Sequence, residues 1–193
     1  MASTRKRSLT KEEQALYRAA AMEPVNWIPK HCAIINVEGQ MVSLEPNTRQ
    51  LQLLRLEAQA RRDHKPLRVI ILKSRQHGIT TLGLGLQYYW CNTRPNFRAL
   101  CSAHEEKQGE IIFERVKMYQ SQNPNKLKTT TERSDTLSFA DPMNSSMRVA
   151  TAGKENLARG ETLLSFWGSE VAFWPYPEKT LAAVNQAIHR VPG

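Results

Sequence analysis

Apolar and polar positions change rhythm several times along the chain, and each change predicts an element. Residues 68–72, "RVIIL", form an unbroken β-branched run, the pattern of a strand covered on both faces. The turn "KSRQHG" follows, and "ITTLGLGLQYYW" (79–90) then reads as an apolar helix. "FRALCSA" (97–103) repeats the buried-strand signature, and "HEEKQGEIIFERVKMYQS" (104–121) places Ile112, Val116 and Tyr119 on one helical face. "DTLSFA" (135–140) and "SMRVATA" (146–152) predict short strands able to pair with each other. "ETLLSFWGSEVAFW" (161–174) predicts a third buried strand running into a turn at Gly168, and "PEKTLAAVNQAIHRV" (177–191) a last helix.

The first third reads differently. After a basic arm over residues 1–7, "TKEEQALYRAAAM" (10–22) predicts a helix with a capping box from Thr10 to Glu13. Pro24 and Pro29, with Trp27 between them, predict a break in it. "CAIINVEGQMVSLEP" (32–46) predicts a hairpin around "EGQ". "NTRQLQLLRLEAQARRD" (47–63) predicts a helix burying Leu51, Leu54 and Ala58. Residues 1–45 therefore read as an extension and 46–193 as the core. Strands alternating with helices predict an α/β fold with a mostly parallel sheet flanked by helices.

Composition narrows the partners more than the fold. The 193 residues suffice for one α/β domain, or two small ones, and 40% hydrophobic content argues against wholesale disorder. No apolar run reaches the eighteen or so residues of a membrane span, and no apolar stretch follows the basic N-terminus to make a secretory signal. Cys32, Cys91 and Cys101 are too far apart for a metal knuckle and read as reduced intracellular thiols serving as small buried hydrophobes. With 27 basic against 18 acidic residues, the net charge of +9 suits a polyanionic partner such as nucleic acid, without implying sequence preference.

The candidate chemistry lies in the turn after "RVIIL". A phosphate loop follows the pattern Gly, four residues, Gly, Lys, then Ser or Thr. With Gly78 as the second glycine, Thr80 takes the magnesium-binding hydroxyl position, Ile79 stands where lysine belongs, and Lys73 where the first glycine belongs. Phosphate needs amide N–H groups and a nearby cation. Amides from His77 to Thr81 supply the first, Lys73 folding back from the strand end supplies the second, and the Arg75 fork can sense a γ-phosphate. An ordinary βα turn with a solvent-facing lysine and arginine has the same spacing.

Three segments together resemble one family. "KSRQHGITT" (73–81) resembles the deviant phosphate loop of the large terminase subunits of tailed bacteriophages, in which the lysine is displaced to the loop's start. "LARGETLLSFWGSEVAFWP" (157–175) is similar to that family's Arg-Gly element, buried strand and acidic pair. "LEPNTRQLQLL" (44–54) resembles the segment in which a glutamine reads adenine.

The resemblance implies a P-loop NTPase of the additional-strand, catalytic-glutamate class: the ATPase domain of a motor that packages double-stranded DNA into a procapsid. It implies adenine contact by Gln50 and a phosphate site formed by Lys73, Ser74, Arg75, Gln76, His77, Gly78, Ile79, Thr80 and Thr81. Glu170 would activate the attacking water, and Arg159 would act as a finger into a neighbouring subunit of a ring. Mg2+ would meet Thr80 and, through a water, Ser169, which stands where the family usually has aspartate. ATP, the portal protein, the small terminase subunit and the host cytoplasm follow as expected cofactor, partners and location. The family's nuclease half is not discernible, so the chain reads as truncated. Two rivals stand: another nucleic-acid motor such as a helicase, and a decayed loop in a module that binds DNA or packaging partners without hydrolysis. Trp167 and Trp174 read as packing, His77 as a spacer, and His104 as a cap or surface residue.

Overall fold

The computed structural model describes residues 22–72, 77–153, 157 and 162–188. The helix expected from Thr10, the loop residues Lys73, Ser74, Arg75 and Gln76, and Arg159 lie outside the described residues.

Among the described residues the first elements are α1 (Pro24–His31), the hairpin strands β1 (Ala33–Ile35) and β2 (Met41–Ser43), and α2 (Thr48–Arg62). The break expected at Pro24 and Pro29 is instead a helix. Pro24 occupies the first turn, where no N–H is needed, and Pro29 forfeits a single bond near the end of eight residues. In α2, Asn47 accepts from the amides of Arg49 and Gln50 while Gln50 bonds back to the Asn47 amide, a complete capping box. That cap rotates the buried face to Gln50, Leu53, Leu54 and Glu57, with Leu51 at its rim.

The helix α3 (Ile79–Thr93) is buried on nearly every side, as its apolar sequence requires. Then come β3 (Arg98–Ala103), α4 (Glu106–Gln122), β4 (Thr129–Glu132), β5 (Thr136–Phe139), β6 (Ser146–Thr151), β7 (Ser165–Gly168), a 3-10 turn (Val171–Phe173) and α5 (Pro177–Ala187). Strand order is β4-β5-β6-β3-β7. β3 runs parallel to both β6 and β7, whereas β4–β5 and β5–β6 are antiparallel. The sheet is therefore mixed rather than mostly parallel. The connections over 133–135 and 140–145 are too short for a parallel crossover, so these strands can only return as hairpins.

The alternation along β3 sorts the core onto two faces. Ala99, Cys101 and Ala103 join the large cluster built with α1 to α4, including Trp27, Leu82, Tyr88 and Phe113. Leu100 faces the other way, onto Leu163 and Val184 under α5. Helices thus cover both faces of an α/β sheet. All three cysteines are unpaired and buried. Burial pushes the Cys101 thiol up to about 12. Among the described residues no helix is long and apolar enough to cross a membrane.

The strand expected at 68–72 does not form. Residues 65–72 carry no regular structure, Ile70 and Leu72 are 93% and 95% exposed, and Ile71 alone of the run packs against the main cluster. β propensity without a ladder partner does not make a strand. Both edges of β3 are already taken, by β6 and β7. Just ahead of β7, Leu163 forms a parallel bridge to Ile188.

Candidate functional site

Three chain segments converge at the carboxyl ends of the parallel strands, where open α/β sheets receive ligands. The first is the N-terminus of α3. Gly78 is its N-cap, in the left-handed region at φ 64°. The backbone angle favours glycine, and a Cβ there would meet the Gln50 Nε2 at 2.7 Å and push that carboxamide aside. Among the described residues no side chain caps this helix and its first turn holds no acidic residue, so its N-terminal amides suit an anion. Ile79, at the position usual for lysine, is 5% exposed: its side chain belongs to the interior rather than the loop. The Thr81 carbonyl accepts from the Tyr119 hydroxyl at 3.0 Å, which ties this turn to α4.

The second segment follows β7. The Ser169 amide donates to the Ser102 carbonyl at 2.8 Å, which extends the β3–β7 ladder, and the Ser169 carbonyl accepts from the Trp174 indole at 2.9 Å. Its hydroxyl lies 3.2 Å from that of Thr80. The two positions expected to serve magnesium, 80 and 169, are thus adjacent in space. Between them Gly83 lets α3 approach β7 closely: a Cβ there would fall 2.5 Å from the Trp167 ring. Trp167 and Trp174 are packing residues, as their sequence context predicts.

Glu170 comes next, in the left-handed region at φ 56°, ψ 43°, heading the 3-10 turn. A non-glycine residue there is a strained conformation of the kind found at functional sites. Its Oε2 lies 3.2 Å from the Nδ1 of His104, the residue that follows β3. His104 is not the cap of the following helix, which is Glu105; it is a half-buried residue facing Glu170. The signal that could have found it is its place immediately after the strand next to β7.

The third segment is the start of α2. Gln50 is buried, and its carboxamide accepts from the Asn47 amide at 2.9 Å and donates to the Gly78 carbonyl at 2.8 Å and the His77 carbonyl at 3.4 Å. The residue expected to read adenine thus braces α2 against the turn. His77, half-buried rather than a free spacer, has its ring against the Arg49 guanidinium, with Nη1 to Nδ1 at 3.1 Å.

Magnesium prefers oxygen ligands and keeps much of its water, so two hydroxyls beside a phosphate suit it in kind, though neither brings charge. Among the described residues no group of three His, Cys, Asp or Glu is placed to hold a metal. No protein-family model and no curated protein matches the chain.

Proposed function

We propose that this chain is the ATPase domain of a viral large terminase, hydrolysing Mg·ATP to drive double-stranded DNA into a procapsid. The observation that carries the reading is the 3.2 Å contact between the Thr80 and Ser169 hydroxyls, with Glu170 next in sequence, beside an uncapped helix N-terminus. A neutral hydroxyl pair is worth only about 1 kcal/mol, and a metal–phosphate site is an arrangement that would use both.

The triphosphate would lie on the α3 amides, with Lys73 and Arg75 supplying cationic charge and Gln76 a further polar contact. Thr80 would hold the magnesium directly and Ser169 through a water. Glu170 would orient the attacking water and take its proton, and Arg159 of a neighbouring subunit in a ring would stabilise charge on the transferred phosphoryl group. The basic surface would track the DNA backbone without reading bases, and the portal protein and small terminase subunit would be the partners in the host cytoplasm.

A second reading, a loop that binds partners without hydrolysis, is favoured by the engagement of Gln50: its carboxamide is taken up by Asn47, His77 and Gly78. Thermal melting separates the two. Mg·ATP at a hundred times its Kd adds about 2.7 kcal/mol, a rise of roughly 5–10 °C for a chain this long. The hydrolase reading expects that rise, and expects Lys73→Ala to abolish both it and turnover. No rise at millimolar nucleotide supports the second reading.

A further inference from the structure

We infer that His104 is a positioning residue for the Glu170 carboxylate, an inference that rests on the hydrolytic reading above. The imidazole sits between two acids, with Nδ1 3.2 Å from the Glu170 Oε2 and Nε2 3.6 Å from the Glu105 Oε1. A ring set between two carboxylates can restrict the orientation of a working group. Here Nδ1 faces one carboxylate oxygen of Glu170, which leaves the other for a water.

The backbone alone does not aim this side chain. Glu170 lies beyond the β7 ladder, in a left-handed conformation, and its side chain is 42% exposed. Two contacts hold the local geometry. The Phe173 amide donates to the Glu170 carbonyl at 2.9 Å, and the Phe173 ring packs on the His104 ring at 6.0 Å between centroids. His104 thereby touches both the carboxylate and the turn that presents it. An exposed ion pair contributes little to stability, so aim rather than folding is what the contact provides. His104 does so from the residue after β3, the strand between β6 and β7, whose Ser102 carbonyl accepts from the Ser169 amide.

The test uses the full chain with DNA and saturating Mg·ATP, and compares wild type with Glu170→Gln, His104→Ala, His104→Phe and His104→Asn. The amide nitrogen of asparagine falls near the place of Nδ1, whereas phenylalanine keeps the ring contact and loses the donor. The expected result is a loss of kcat of tenfold or more in His104→Ala and His104→Phe, with KM within twofold of wild type and an unchanged melting temperature. His104→Asn recovers to within about threefold of wild type. Turnover in His104→Ala equal to or above wild type, or asparagine no better than phenylalanine, overturns the inference while leaving the hydrolytic reading standing if Glu170→Gln is inactive. Equal turnover in wild type and Glu170→Gln overturns both.

Discussion

The Thr80 hydroxyl stands 3.2 Å from the Ser169 hydroxyl, joining the first turn of α3 to the end of β7. Both groups are neutral, which sets a ceiling on how strongly this corner can attract a cation. Placing a charge there is the most direct way to read its purpose. Ser169→Asp is expected to tighten Mg2+-dependent nucleotide binding by about tenfold, the worth of one added charge-assisted contact, and Thr80→Ala to weaken it by a similar factor. Calorimetric titration of each variant with Mg·ATP checks this, with the magnesium-free titration as control.

Gly78 is constrained twice, by its positive φ and by the Gln50 amide 2.7 Å from where a Cβ would be. Gly78→Ala is expected to cost about 1–2 kcal/mol in backbone strain plus the displacement of Gln50. The melting temperature falls by roughly 2–4 °C for each kcal/mol. Adding Gln50→Ala relieves the collision and not the strain, so the double variant recovers only part of the loss.

The approach of α3 to β7 depends on Gly83, whose absent side chain accommodates the Trp167 ring. Gly83→Ala is expected to destabilise by about 1–3 kcal/mol and to move Thr80 away from Ser169. Trp167→Leu in the same chain makes room, and also removes an indole N–H that is buried without a partner among the described residues. Denaturant melts of the two singles and the double check the compensation: the double is more stable than Gly83→Ala alone.

Stability is expected to fall on mild acidification because of His31. Burial lowers its pKa below the ordinary value of 6.5, outweighing the hydrogen bond to the Trp27 carbonyl, and the neighbouring Lys30 pushes the same way. The unfolded chain thus takes up a proton there more readily than the folded one. The stabilisation is complete above the unfolded value and declines as pH drops below about 6.5. Glu57 acts with the opposite sign at lower pH, since burial raises its carboxyl despite Arg61. Melting temperatures from pH 7.5 to 5.5, compared between wild type and His31→Phe, isolate the histidine: the variant keeps a ring against Trp27 and loses the slope.

Much of this architecture was legible from spacing. The hairpin around "EGQ", the central helix after Gly78, the buried strand from Arg98 and the helix bearing Ile112, Val116 and Tyr119 all form near where the periodicity places them. Pairing direction was not legible, because it depends on connection length and on which edges are left open. The run "RVIIL" shows the limit: composition states a preference for extended backbone, and only a neighbour with free amides and carbonyls can fulfil it. The site divides the same way. The place of Gly78 at a helix start was legible from the turn, and the neighbourhood of Thr80 and Ser169 was an expectation of the resemblance rather than of any local pattern. The bracing of Gln50 and the pairing of His104 depend on side chains arriving from distant segments, which no local pattern encodes.

Ile70 and Leu72 stand in water with almost their whole side chains wetted. Covering both releases on the order of 3–6 kcal/mol, a reserve that any contact able to shield them can draw on. The attraction is entropic near room temperature and weakens on cooling. Concentrated solutions of the chain are therefore expected to be monodisperse in the cold and to associate as they warm, with residues 70 and 72 as the sticky point.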